Sequence, residues 1–230
     1  MFDGKYKAIT FSYDDGITQD IRLIELFNKY GLKATFNLSS ALLGTNRTIV
    51  RNGKDVSHNK VSPDSVRSIY EGHEIASHTL THPILTDLSD EEVIREVEQD
   101  RLNLSELAGY EVVGLAYPHG TPFINDHIAQ LVKEKTGIRY ARTTSSSYTF
   151  APEPDLYQLG ASTPSVHLDK MFAMGEEFVN LNADTPQIFY IWGHSFEFDA
   201  NDTWERFEEF CQFISGRDDI YYGTNKDVLL

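Results

Sequence analysis

The chain has 230 residues, a formal net charge of −15, 40% hydrophobic and 24% charged residues, the proportions of an ordinary globular protein. That charge excludes nucleic acid and anionic membranes as partners by repulsion, but not a neutral sugar or one that becomes cationic once its amine is freed. No window holds the roughly 20 apolar residues of a membrane helix. A lone cysteine, Cys211, rules out an internal disulfide, and its spacing from Phe207, Phe210 and Ile214 puts it on a buried helix face.

The start, MFDGKYKAITFSYDDG, lacks the basic residues and apolar run of a secretory leader, so a cytoplasmic location is expected unless a leader has been removed. The first strand is expected over residues 7–12. A helix over 18–30 follows, with Ile21, Ile24, Leu26 and Phe27 on a stripe and Gly31 ending it. A second strand spans 33–38, and the polar stretch 44–63 reads as a long surface loop. After a strand at 74–77, the helix at 89–108 opens on a capping box, Ser89 with Glu92, and stops at Gly109. Strands at 112–116 and 138–142 flank a helix at 125–135, and a polar run occupies 143–147, its serines 145–147 reading as a loop. A helix at 166–182, a strongly apolar strand at 187–192, a helix at 203–215 and a short strand at 219–222 complete the chain.

This β-then-α rhythm with short connections predicts one α/β domain over residues 1–230. A distorted or incomplete barrel of about seven parallel strands is expected, with an open doubly wound sheet as the alternative. Both layouts put ligands at the carboxyl ends of strands. Four clusters of reactive residues fall there.

Ser12-Tyr13-Asp14-Asp15-Gly16 sets two carboxylates side by side, an arrangement that needs a nearby positive charge. It reads either as a solvated capping turn or as one metal ligand beside one base. In Ser77-His78-Thr79-Leu80-Thr81-His82-Pro83 two imidazoles four positions apart would meet on one face of a helical turn, and read either as a pair sharing a cation or as two ordinary polar histidines. Ala116-Tyr117-Pro118-His119-Gly120 reads either as a plain tight loop or as a rigid turn whose backbone N–H groups, that of His119 included, suit an oxyanion. Finally, Ile191-Trp192-Gly193-His194 ends a strand on a histidine that alone would read as structural and, beside the other three clusters, is placed for proton transfer. His73 reads as structural. No G-x-S-x-G elbow is present, which excludes the usual serine hydrolase.

Taken together, these segments resemble the motifs of the polysaccharide deacetylases, the family 4 carbohydrate esterases with a NodB-type domain. Ser12–Gly16 matches the S/T-F/Y-D-D-G pattern, and His78–His82, preceded by Gly72-His73-Glu74-Ile75, matches H-S/T-x-x-H. The resemblance implies Asp14 as base, Asp15, His78 and His82 as ligands of one divalent ion, and His194 as acid. Zinc fits that donor set, and so do cobalt and nickel. The implied reaction is hydrolysis of an N- or O-acetyl group on an oligo- or polysaccharide.

Two departures stand out. The family's third motif, R-x-P-Y/F-G, has Ala116 in place of arginine and His119 in place of the aromatic ring. Arg142, at another strand end, is the expected replacement partner for Asp14. The family's D-x-x-D-W segment is missing between Arg142 and Gly160, leaving Asp155, Glu197 and Asp199 as candidate partners of His194. These departures keep two other readings open: a hydrolase of a small non-sugar amide, and a sugar-binding protein without catalysis.

Overall fold

Apolar runs become parallel strands, and amphipathic runs become the helices that cover them, in the computed structural model, which describes residues 1–230. The first half of the chain contributes β1 (Lys7–Asp14), α1 (Asp20–Lys29), β2 (Ala34–Leu38), β3 (Thr48–Arg51), β4 (Lys54–Ser57), α2 (Val66–Ile69), β5 (Glu74–Ser77) and α3 (Asp90–Ala108). Then come β6 (Gly114–Ala116), α4 (Asp126–Lys135), β7 (Tyr140–Ser146), β8 (Leu159–Ala161), β9 (Thr163–Pro164) and α5 (Leu168–Asn180). The chain ends with β10 (Gln187–Gly193), α6 (Phe196–Asn201), α7 (Trp204–Ile214), β11 (Ile220–Tyr222) and α8 (Asn225–Leu229). No helix is long and apolar enough to cross a membrane.

The main sheet has nine parallel strands in the order β8-β7-β6-β5-β2-β1-β10-β9, with β11 pairing the first residues of β1. Residues 159–164 pair with β7 through β8 and with β10 through β9. The two strands meet at Ser162, whose N–H donates to the Tyr190 carbonyl at 2.7 Å and whose hydroxyl accepts from Tyr190 N at 3.0 Å. This kinked segment bridges the edges of the sheet without a continuous ladder, so the barrel is distorted and incomplete. Nine strands stand where about seven were expected, because β8 and β9 are too short to leave a periodic signal.

β1 is buried along its whole length, as parallel strands sandwiched on both faces are. Its outward residues Ile9, Phe11 and Tyr13 join Phe27, Phe189 and Phe207 in the main core between sheet and helices. Its inward residues Thr10, Ser12 and Asp14 are polar, and so is the barrel interior. α8 plugs the bottom: Asn225 accepts from Thr10 Oγ1 and donates to Tyr190 OH and, through its backbone N–H, to Thr35 Oγ1. Glu74 takes Thr35 Oγ1 at 2.7 Å, Tyr140 OH at 3.0 Å and Lys226 N at 2.9 Å. Satisfied in this way, a buried polar network stiffens the floor beneath the rim.

Three expectations need correcting. The stretch 44–63 is not an irregular loop; it carries the antiparallel hairpin β3–β4, in register from Thr48↔Ser57 to Arg51↔Lys54. The polar run 143–147 mostly extends β7 instead of leaving the sheet. The helix at 166–182 is shorter, Leu168–Asn180, because Pro164 and the turn after it delay its start. The capping box at Ser89 forms as the spacing predicts, and Gly109 closes α3 in the left-handed conformation.

Gly114 shows how tightly the floor is built, since a Cβ there would lie 2.1 Å from the buried Tyr140 hydroxyl. Gly114→Ala is expected to cost about 1–3 kcal/mol or more, the range for overpacking. A fall in the urea midpoint checks this, and an unchanged midpoint would mean that the floor yields freely.

Candidate active site

Register puts the reactive clusters on one rim. β1 and β10 pair through Tyr13↔Gly193, so Asp14 and His194 follow side by side. β2 pairs with β5 at Leu38↔Ser77, just before His78, and β6 with β7 at Ala116↔Arg142. The ends of β1, β5, β6, β7 and β10 open on a cleft of roughly 790 Å³ lined by Asp14, Asp15, His78, His82, His119 and His194, among others.

Asp14 is 2% exposed, and its Oδ1 accepts from Asn37 Nδ2 at 2.8 Å and from the Arg142 guanidinium. No bond within the protein engages Oδ2, which is left towards the cleft that Asp14 lines. Arg142 is fully buried; its Nε donates to Ser12 Oγ at 3.2 Å and its guanidinium lies 4.8 Å from the Trp192 ring. Arg142 and Ala116 are register partners on adjacent strands, so the small side chain of Ala116 leaves space for the long one to cross the barrel. Burial alone would raise the Asp14 pKa, but Arg142, His78 and His194 together outweigh it and hold the carboxyl below its ordinary value.

Asp15 turns the chain sharply, with φ of 85° followed by Gly16 at 60°, where a Cβ would also press on Leu38 at 2.8 Å. Ligand atoms of Asp15, His78 and His82 lie within 4.8 Å of one another. The histidines do not meet on a helical turn, as the spacing suggested. They lie in a loop where Thr79 and His82 both adopt positive φ, and the imidazole centroids are 4.7 Å apart. His78 Nδ1 donates to the Ala116 carbonyl at 2.7 Å, which leaves Nε2 as an open donor atom. Asp100 holds this loop, accepting from Ser77 Oγ at 2.6 Å and from His78 N at 3.3 Å. Burial lowers the pKa of both histidines, His82 to about 3, so both are neutral near pH 7, the form in which imidazole binds a metal.

Sequence reasoning missed His58 and Lys60, which follow β4. Lys60 donates to Asp15 Oδ1 at 3.0 Å and to its carbonyl at 2.6 Å. His58 Nδ1 accepts from Arg47 Nε at 3.1 Å, which fixes the tautomer; Nε2–H therefore donates to Asp15 Oδ2, also at 3.1 Å. Burial would raise the Asp15 pKa, yet His58, His194, Lys60 and His78 bring it well below its usual value.

His194 Nε2 is 3.9 Å from Asp15 Oδ2, and its Nδ1 is 3.5 Å from Glu197 Oε1. Of the three candidate partners, Glu197 is the one beside His194. Asp199 binds Trp204 Nε1 instead, and Asp155 caps Tyr157 N. Although burial disfavours the imidazolium, Glu197 and the two aspartates raise the His194 pKa to about 9. His119, with φ of 58°, sits 4.6 Å from the His82 ring, and its backbone N–H makes no bond within the protein. His73 lies outside the cleft and is structural, accepting from Ala34 N and bonding Asn28.

The family model described as polysaccharide deacetylase matches residues 3–141. The chain belongs to the polysaccharide deacetylase family. Among curated deacetylases, peptidoglycan-N-acetylglucosamine deacetylase PgdA of Listeria monocytogenes is 24% identical over 126 residues, covering 54% of this chain and 23% of the relative. Peptidoglycan-N-acetylmuramic acid deacetylase PdaC of Bacillus subtilis is 26% identical over 134 residues, 57% of this chain and 25% of the relative. The match thus spans about a quarter of each curated relative. A putative polysaccharide deacetylase from Mycobacterium smegmatis shares the fold, with a TM-score of 0.64 at 18% identity over 98% of this chain and 90% of that one. So does a family 4 carbohydrate esterase from Streptomyces lividans, with a TM-score of 0.54 at 14% identity over 92% and 86%.

Losing the Arg142 partner would strand a buried carboxylate, so Arg142→Ala is expected to destabilise the fold by about 3–5 kcal/mol at neutral pH. Because the folded pKa of Asp14 is depressed, the pairing stabilises above the ordinary carboxylate pKa and fades as pH falls through the folded value. The deficit against wild type should therefore shrink on acidification. Urea titrations at several pH values check this; a deficit independent of pH would contradict it.

Proposed function

We propose that the protein is a metal-dependent deacetylase that hydrolyses an N- or O-acetyl group on a glycan. One observation carries the reading: two adjacent buried carboxylates have different surroundings, one facing two neutral imidazoles and the other gripped by an arginine with one oxygen left over. Asp15, His78 and His82 would hold the cation, and the nitrogen and oxygen donors suit zinc, with cobalt or nickel as substitutes. Bound there, the ion supplies Lewis-acid polarisation of the acyl oxygen and a lowered pKa for water.

The chain's own residues do the rest. Asp14 Oδ2 takes a proton from the attacking water, while Arg142 and Asn37 hold Oδ1 and fix the carboxylate's orientation. Arg142 thereby takes the place of the motif arginine that Ala116 lacks. The free N–H of His119 is a donor for the developing oxyanion. His194 is protonated near neutrality, is steadied by Glu197 and can give its proton to the departing nitrogen or oxygen. That proton matters most for an amide, because an amide anion is a very poor leaving group.

Mass spectrometry of N- and O-acetylated oligosaccharides incubated with zinc-replete protein should show loss of acetyl units, abolished by a chelator and restored by zinc or cobalt. Asp14→Asn should lower turnover roughly 10²–10⁴-fold, the usual range for a general base. Tight sugar binding with no acetate from any glycan would overturn the assignment.

A further inference from the structure

The hairpin that completes the site also alters its charge. Residues 47–60 contain Arg47, Arg51, Lys54 and Lys60 against one carboxylate, Asp55, in a chain whose net charge is −15. Lys60 is spent on Asp15, and Lys54 on Asp202. Arg47 and Arg51 both line the cleft, and neither has a carboxylate within ion-pair distance. Arg47 uses Nε on His58, which leaves its two terminal nitrogens unengaged. Arg51 lies 5.8 Å from the Phe196 ring and bonds only the Val50 carbonyl.

The acids of the cleft are already balanced. Asp14 faces Arg142, Asp15 faces Lys60 and His58, and Glu197 faces His194. The two arginines are therefore positive charge on the rim of the cleft that no carboxylate of the protein neutralises. A guanidinium with free terminal nitrogens is built for a carboxylate or phosphate, which it can grip with two parallel hydrogen bonds.

We infer that the substrate carries an oxyanion, a carboxylate or a phosphate, bound by Arg47 and Arg51 on the β3–β4 hairpin. Arg47 is separated from Asp15 by only the His58 imidazole and a hydrogen bond on each side of it. The anion therefore sits on the sugar that bears the scissile acetyl group or on its immediate neighbour. This inference rests on the deacetylase reading for the reaction but not for binding.

Three matched sugars separate the sources of charge: neutral N-acetylglucosamine oligomers, oligomers carrying a lactyl or uronic carboxylate, and N-acetylglucosamine 1-phosphate. Acetate release should favour one anionic class at least tenfold in kcat/KM. Arg51→Ala should remove roughly tenfold of that preference through KM, and Arg51→Glu should remove more. Equal handling of neutral and anionic sugars by the wild type, or an anionic preference that survives Arg51→Glu, would overturn it. Quenching of Trp192 in the cleft reports binding without turnover, with Trp204, which packs in the core and does not line the cleft, replaced by Phe to isolate its signal. If no sugar releases acetate, the deacetylase reading fails, while the order of binding affinities still decides whether an anion is recognised.

Discussion

Two neighbouring carboxylates buried at the end of one strand set the terms for the rest of the structure. Asp14 and Asp15 are 2% and 8% exposed, and left to themselves they would repel and take up protons. The fold supplies a separate cation to each: Arg142 reaches Asp14 across the barrel, and Lys60 reaches Asp15 from the hairpin. Both carboxyls stay ionised, but for different purposes. Asp14 is pinned by one oxygen, whereas Asp15 is contacted on both and faces His78 and His82.

The parallel barrel makes this convergence inexpensive. Residues separated by more than 100 positions meet because register carries the ends of β1, β5, β7 and β10 to the same rim. Below them the Thr10–Thr35–Glu74–Asn225 network fills the interior with satisfied hydrogen bonds, so the rim rests on a rigid floor. Local strain is concentrated at the cleft. Asp15, Thr79, His82 and His119 all adopt positive φ, at a cost of about 1–2 kcal/mol each, which the surrounding contacts must offset.

Much of this was legible in the sequence. Strand ends at Ser77 and Ala116, and to within two residues at Asp14 and Gly193, are marked by apolar runs meeting turn chemistry, and the capping box at Ser89 announces α3. Arg142 could be matched with Asp14 because it lies on the strand next to the one where the family's arginine is missing, although that strand runs on to Ser146. The hairpin was not legible: its strands have four residues each, only Val56 is buried, and His58-Asn59-Lys60 forms no recognisable motif. Nor could spacing reveal that His78 and His82 converge through left-handed loop residues, since β-branched Thr79 is not a residue type that signals positive φ. Glu197 stood out only once the chain folded, because Asp199, two positions on, is an equally acidic neighbour in sequence but is turned towards Trp204.

The division of labour between Asp14 and Asp15 is best tested by anomalous diffraction at the zinc edge from crystals of zinc-loaded protein. The account predicts one peak bounded by the Asp15 carboxylate and the imidazoles of His78 and His82, with Asp14 still paired to Arg142 outside the ion's reach. A peak ligated by Asp14, or zinc bound only elsewhere on the protein, would contradict it.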